Sequence, residues 1–167
     1  MRKARTYGAQ APFVDAMSRI RTLQDEITVC VSAREWTQVV RLGRRLQRLE
    51  PGNLIALEAT ARAHWHLGQY PQSLECLRRL IARNPHEPGY LGLQAACHEQ
   101  LGQFAAAGEC LRRAIGVETH ERTRADLQTR LDTLECAIIA TIEQSAAQRE
   151  LLLGMRPQSS PGHERLS

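Results

Sequence analysis

Aromatic side chains are scarce in this chain of 167 residues, where Phe, Tyr and Trp together supply 4% of the positions. The composition is nevertheless globular, with 43% hydrophobic residues, and the length suits one ordinary domain. Leu and Ala must therefore fill the interior. Because both residues favour helices and β-branched residues are few, the composition predicts an all-α fold.

Paired cysteines and long apolar runs are also missing. The five cysteines are odd in number and include no Cys-x-x-Cys pair, which favours a reducing compartment. No stretch reaches the roughly 18 apolar residues that a membrane-spanning helix needs, and no signal-peptide core follows the basic residues 1–5. We therefore expect a cytoplasmic protein with no membrane insertion.

Motifs of the common enzyme classes are absent from the sequence. There is no Gly-x-Gly-x-x-Gly, Walker loop, Gly-x-Ser-x-Gly or His-Glu-x-x-His, so we predict no catalytic residues, no cofactor and no metal site. His64 and His98 recur at equivalent positions, with Cys30 at the same place earlier in the chain. Equivalent residues on stacked helices lie about 9–10 Å apart, whereas zinc ligands converge within about 2.3 Å of one ion. The recurrence therefore indicates core polar residues, and the protein is expected not to be an enzyme.

An internal repeat is the main signal in the chain. A shift of 34 residues aligns 54–87 with 88–121 at 14 identical positions, including the shared blocks Leu-Gly-Gln and Glu-Cys-Leu-Arg-Arg. Segment 20–53 matches more weakly and has Trp36 where the later copies have Tyr70 and Phe104. The chain therefore contains three units, of which the first is divergent.

Each unit is predicted to be a pair of helices. In the middle copy Leu57, Ala61 and His64 follow helical spacing, Gly68 supplies a left-handed turn, and a second apolar stripe ends at Pro85. Neither short helix buries its stripe alone, so the units must stack.

These features resemble the tetratricopeptide repeats, over residues 20–121. The resemblance lies in the period of 34, the Leu-Gly-x-Tyr/Phe corner, the closing prolines, and the small or apolar residue that opens each second helix (Val39, Ser73 and Ala107). It implies a short right-handed solenoid of three repeats, at about 20–53, 54–87 and 88–121 within a solenoid domain at 12–121. Two positions depart from the pattern: Gly43 replaces a bulky residue, and Thr119 stands where a proline is expected.

The flanking segments differ from the repeats. We expect residues 1–11 to be a disordered basic tail and 154–167 to be a disordered tail. Between them, 122–153 is predicted to be one long helix, with Leu127, Leu131, Leu134, Ile138 and Ile142 at spacings of three or four. We expect this helix to cap the last repeat. A homodimer through 122–153 is the alternative, because the spacing begins like a coiled-coil heptad.

Arginine supplies almost all of the positive charge, since Lys3 is the single lysine and the net charge is +4. Three arginine pairs recur every 34 residues: Arg44 with Arg45, Arg78 with Arg79, and Arg112 with Arg113. Stacking would align them into a stripe, which is a possible second surface for an acidic partner. No aromatic residues are interleaved for base stacking, so nucleic acid is not the expected partner.

The family resemblance implies a concave groove lined by the first helix of each unit. It implies the following partner-binding residues: Gln24, Thr28, Ile55, Glu58, Arg62, Trp65, His66, Leu93, Ala96 and Glu99. Trp65 is the expected anchor, because large aromatic residues dominate many interfaces. Packing of Trp65 against the neighbouring unit is the alternative.

Three functions follow as hypotheses from the resemblance. The first is a non-catalytic adaptor or chaperone that holds a partner segment in the groove. The second is narrower: residues 90–97 followed by Leu101-Gly102-Gln103-Phe104 are similar to a central repeat of bacterial class II type III secretion chaperones, which bind translocators. The third is a structural subunit that docks through the arginine stripe or the C-terminal helix. The carboxylate clamp of certain cochaperones is absent, because its places hold Gln24, Thr28, Ala59, Gly89 and Leu93.

Overall fold

A computed structural model describes residues 11–154 of the chain, with side chains from 15 to 153. The described residues form seven helices and no strand: α1 Ala11–Ser32, α2 Trp36–Leu49, α3 Leu54–His66, α4 Tyr70–Arg83, α5 Pro88–Gln100, α6 Phe104–Val117 and α7 Glu121–Gly154. The predicted all-α repeat fold is confirmed. The two predicted disordered tails lie outside the described residues, apart from Ala11 and Gly154 at the helix ends.

The first six helices form three helix pairs, and each helix packs against the next one along the chain. Helix α1 also contacts α3, so the first unit is joined to the second through both of its helices. Helix α1 begins at Ala11, nine residues before residue 20, where the repeat pattern places the start of the first unit. Among the described residues, no helix is long and apolar enough to cross a bilayer.

Three residues with positive φ make the turns inside the pairs. Gly68 and Gly102 both have a φ of 70°. A Cβ at either position would have no atom within 4 Å, so the choice of residue there is restricted by the backbone conformation and not by packing. Arg34 occupies the same place in the first unit with φ of 58°. A side chain in the left-handed region costs about 1 kcal/mol, so the first turn is less favourable than the other two.

Repeated hydrogen bonds brace these turns. His64 Nδ1 lies 2.6 Å from Gln69 Oε1, and His98 Nδ1 lies 2.7 Å from Gln103 Oε1. In each pair the backbone N–H of the glutamine also donates to the histidine carbonyl. The recurring histidines are therefore held by turn residues, and among the described residues no group of three metal-ligating side chains occurs.

The core consists of three apolar clusters that follow one another along the solenoid. The residues that open the second helices, Val39, Ser73 and Ala107, are fully buried. Ser73 Oγ donates to the Ala61 carbonyl at 2.8 Å, which satisfies its hydroxyl inside the core. Small residues at these three positions allow the paired helices to approach closely.

Gly43 departs from the pattern for a reason that the packing explains. Its helix lies so close to α3 that a Cβ at Gly43 would overlap the Thr60 hydroxyl and lie 3.4 Å from the Ala56 carbonyl oxygen. Thr60 is buried and donates to that same carbonyl at 2.6 Å. The equivalent residues Leu77 and Leu111 are fully buried, so the first unit meets its neighbour with a different local geometry.

Helix α7 covers the last repeat with only part of its length. Leu131 and Leu134 are buried, and Leu127 and Ile138 pack beside them against α5 and α6. Ile142, which the sequence pattern placed in the same stripe, is 62% exposed. With 34 residues, α7 spans about 51 Å, more than twice the length of the 14-residue α6, so its second half extends past the repeats.

Candidate partner-binding groove

A groove of about 350 Å³ lies between α3 and α5. Leu77 and Leu80 of α4 contribute to its lining, and Arg130 of α7 stands at its edge. Six of the ten residues expected to bind a partner line this groove, namely Glu58, Arg62, Trp65, His66, Leu93 and Ala96. The groove therefore spans the second and third units.

The other four expected residues lie elsewhere. Gln24 and Thr28 belong to α1, where the Thr28 hydroxyl donates to the Gln24 carbonyl at 3.0 Å and neither side chain reaches the groove. Ile55 is 49% exposed at the start of α3. Glu99 lies behind the rim and acts indirectly, by holding Arg130.

The charged groups around the groove are paired with each other. Arg62 forms an ion pair with Glu58 at 2.8 Å, and the Tyr90 hydroxyl donates to Glu58 at 3.4 Å. Arg130 forms an ion pair with Glu99 at 2.9 Å. Burial raises the pKa of Tyr90, and the neighbouring Glu58 carboxylate adds to this effect. The phenol therefore stays neutral and keeps its proton as a donor.

Trp65 is half-buried at the centre of the groove. It packs against the cluster that contains Leu57, Ala61 and Leu77, so it belongs to the core as well as to the groove wall. Its Nε1 is buried and has no hydrogen-bond acceptor among the described residues. A buried donor without a partner costs about 1–3 kcal/mol, so apolar packing holds the indole ring in place at the expense of this hydrogen bond.

His66 links the groove to the first unit. Its ring stacks on Trp36 with centroids 4.0 Å apart and an interplanar angle of 8°, and Trp65 meets it edge-on at 4.9 Å. Burial lowers the pKa of His66, and the charge of Arg34 lowers it further. The folded protein therefore binds a proton on this ring less readily than the unfolded chain does.

Two glycines of α5 leave space in the groove. A Cβ at Gly92 would meet only Leu127 Cδ2, at 3.9 Å, which is ordinary contact. A Cβ at Gly89 would lie 3.3 Å from the Glu87 carboxylate. A partner backbone can approach α5 closely at Gly92 because no side chain projects there.

The groove contains residues that the repeat pattern did not indicate. Tyr90 was not expected, although an aromatic residue in the first turn of α5 was a visible signal for it. Arg130 had no signal, because its approach to the groove depends on how α7 lies across the repeats. Leu77 and Leu80 were expected only as core residues.

The arginine pairs do not form a stripe of free cations. Arg78 is paired with Glu75 at 2.7 Å, and this contact lowers the pKa of Glu75. Arg112 is paired with Glu109 at 2.7 Å and also with Glu135 of α7 at 2.9 Å. Arg79 donates to the Pro51 carbonyl at 2.9 Å and so ties α4 to the preceding unit. The exposed members without an ion pair among the described residues are Arg44, Arg45 and Arg113.

A family model described as tetratricopeptide repeat matches residues 58–121. These residues include most of α3 and all of α4, α5 and α6, which build the groove and the turns at Gly68 and Gly102. This match assigns the second and third units to the tetratricopeptide repeat. The match begins after the first unit, where Gly43 and Arg34 depart from the pattern of the later two. No curated protein matches the sequence.

Solved tetratricopeptide-repeat structures share this fold. The type III secretion translocator chaperone SycD of Yersinia enterocolitica superposes with a TM-score of 0.67 at 14% identity, covering 71% of this chain and 84% of that one. PcrH in complex with the chaperone binding region of PopD gives 0.64 at 20% identity, covering 74% and 93%. The first repeat domain of Spaghetti (RPAP3) bound to the HSP90 peptide SRMEEVD gives 0.65 at 12% identity, covering 73% and 94%. At these identities the likeness shows a common fold.

Proposed function

We propose that this tetratricopeptide-repeat protein is a non-catalytic adaptor or chaperone that holds a segment of a partner protein in the groove between α3 and α5. The observation that supports this function is the combination of an apolar groove lining with charged side chains that are already paired. The lining is apolar and open above Leu77 and Leu80, while the charged side chains Glu58, Arg62 and Arg130 are already neutralised by partners within the chain. Such a surface favours an apolar segment over a highly charged one.

The groove offers two kinds of contact to a partner segment. Trp65, Tyr90 and Leu93 supply partly exposed apolar surface, whose burial contributes about 25 cal/mol per Å². Gly92 leaves a gap in the side-chain wall, so the backbone of an extended segment can approach α5 there. Apolar burial accordingly provides the affinity, and the close approach at Gly92 helps to orient the chain. A protein segment is a better occupant than nucleic acid, because the nearest cations are engaged in ion pairs.

A narrower function is a cytoplasmic chaperone for translocators of bacterial type III secretion. It is supported by the shared fold with SycD and PcrH and by the similarity of residues 90–104 to a central repeat of that class. The structure of PcrH contains the chaperone binding region of PopD, so this region is a suitable probe. A peptide that ends in SRMEEVD is the matched negative probe, because the positions of a carboxylate clamp here hold Thr28, Ala59 and Gly89.

The experiment that tests the groove is the substitution Gly92→Gln, with Gly116→Gln as its control. Both glycines lie inside helices, and replacement of either by Gln favours the helix by about 0.5–1 kcal/mol, so neither variant is expected to unfold. Gly92→Gln places a side chain inside the groove, whereas a Cβ at Gly116 on α6 meets nothing within 4 Å.

Peptides selected from a displayed library against the wild-type protein provide the probe for this comparison. We expect Gly92→Gln to weaken their binding by about tenfold or more, because a filled groove loses about 1.4 kcal/mol of contact, and Gly116→Gln to leave it unchanged. Equal binding to both variants would show that peptides are held elsewhere. The PopD region and the SRMEEVD peptide are then measured by the same titration: binding of the first alone supports the translocator chaperone, and binding of neither restricts the function to the adaptor class.

A further inference from the structure

The second half of α7 presents an apolar surface that no described residue covers. Ile139 and Ile142 are 56% and 62% exposed, and Leu151, Leu152 and Leu153 are 63–64% exposed. Only three charged residues occur between 139 and 153. Single exposed apolar residues are common on proteins, but four large ones on one face of a free helix, Ile139, Ile142, Leu152 and Leu153, form a patch of the kind that marks an interaction surface.

The patch continues into a groove against the last repeat. Phe104 at the start of α6 is 43% exposed and faces Ile138 and Ile142 across a groove of about 520 Å³ with no ionisable residue in its lining. In the earlier units the equivalent aromatic residue has a partner: Trp36 stacks on His66, and the Tyr70 hydroxyl donates to Gln100. Phe104 has no stacking partner among the described residues.

The spacing on α7 defines one seam. Ile142, Ser145, Arg149 and Leu152 follow one another at intervals of three and four residues, and Ile139, Ala146 and Leu153 lie beside them on the same face. Large apolar side chains stand at the two ends of this seam, and Ser145, Ala146 and Arg149 stand between them. The pattern is therefore similar in both directions along the helix. Two copies can accordingly pack antiparallel across a two-fold axis, which requires a self-complementary surface.

We propose that the occupant of this surface is a second copy of the same chain, packed antiparallel through residues 139–153. With Ala146 opposite Ala146, each Ile139 meets the partner copy's Leu153, and each Ile142 lies within about 3 Å, along the helix axis, of its Leu152. The leucine end of each helix then enters the groove beside Phe104 of the other copy. This pairing buries the large apolar residues of both chains at once.

Charge complementarity favours the antiparallel arrangement. Arg149 lies within the seam and forms no ion pair among the described residues, and the same is true of Glu143 at its edge. In an antiparallel pair centred on Ala146, Arg149 of one chain stands at the same level as Glu143 of the other. Two equivalent ion pairs therefore form. In a parallel pair these residues would stand about 9 Å apart along the helix axis.

The available area suits a reversible dimer. Each large apolar side chain of the seam contributes about 100 Å² of exposed surface, which corresponds to about 2.5 kcal/mol per fully buried residue. Four such residues on each copy, with Phe104 and the small residues of the seam, bring the total to about 1,200 Å², the lower end of stable interfaces. We accordingly expect association that depends on protein concentration.

Sedimentation equilibrium over a range of concentrations tests the dimer with the full chain. The wild type is expected to show a monomer–dimer equilibrium, and Ile142→Glu is expected to weaken it by about a hundredfold or more, because two apolar contacts are lost. Gln144→Glu, on the opposite face of α7, is the matched control and should leave the equilibrium unchanged. Since this half of α7 packs on nothing else described, circular dichroism should remain the same for all three proteins. A wild type that stays monomeric at every concentration overturns the proposal.

Charge exchange tests the direction of the pairing. Glu143→Arg and Arg149→Glu are each expected to weaken self-association by about tenfold, because each variant places like charges opposite each other twice. Mixing the two variants restores both ion pairs, so the mixture should associate about as tightly as the wild type. A mixture no tighter than its separate components would refute the antiparallel contact.

Discussion

The close contact between Gly43 and Thr60 predicts that adding a single methyl group weakens the fold. In Gly43→Ala the new Cβ overlaps the Thr60 hydroxyl, and the neighbouring Ala56 carbonyl leaves little room for the helix to shift. Thr60 relieves the overlap only by rotating, which breaks its 2.6 Å hydrogen bond to that carbonyl, or by a separation of α2 from α3.

The magnitude follows from two opposing effects. Overpacking of a buried contact costs about 2 kcal/mol, while alanine inside a helix is favoured over glycine by about 1 kcal/mol. Gly43→Ala should therefore lower the free energy of unfolding by about 1 kcal/mol. Thr60→Ala alone removes a buried hydroxyl with its hydrogen bond and should cost about 1 kcal/mol. In the double variant the overlap is gone, so its stability should be close to that of the wild type.

Urea unfolding followed by circular dichroism measures the four proteins of this cycle. The expected coupling between the two substitutions is about 2 kcal/mol, well above the error of such cycles. Two results would refute the reasoning: additive effects of the two substitutions, or a Gly43→Ala protein that gains the full helix propensity of alanine. Either would mean that α2 and α3 do not approach as closely as the structure shows.

Two further predictions concern the first turn and the contact between the first two units. Arg34→Gly should raise the free energy of unfolding by about 1 kcal/mol, because glycine adopts the φ of 58° without strain. Thermal unfolding measures this change, and a melting temperature below that of the wild type would contradict it. His66, whose pKa is lowered in the folded protein by burial and by Arg34, binds its proton more readily in the unfolded chain. The free energy of unfolding should therefore fall as the pH drops below the ordinary histidine pKa of about 6.5. His66→Gln should reduce that pH dependence. Urea unfolding of both proteins at a series of pH values measures the difference. An unchanged dependence in the variant would assign it to other groups.

The repeat could be predicted in detail from the sequence because its determinants are local. A period of 34, the glycines at 68 and 102, and apolar residues at helical spacing each act within a few residues of chain, so helix pairs and their turns follow from them. The family resemblance then implied six of the residues that line the groove, and all six lie on α3 or α5. The same resemblance implied Gln24 and Thr28, but the first unit is divergent and these two residues do not line the groove with the others.

The sequence by itself determined the helix class, the number of units and the positions of their turns, because these depend on backbone preferences and on the spacing of apolar residues. Only the tertiary structure decided which surfaces remain open. The crossing of α7 over the last repeat brings Arg130 to Glu99 across 31 positions of chain. It leaves Ile142 uncovered, although its spacing continues that of the buried Leu134 and the partly buried Ile138. The physical reason is that an apolar stripe is buried only where another element lies opposite it, and the length of that neighbour is not encoded in the stripe itself.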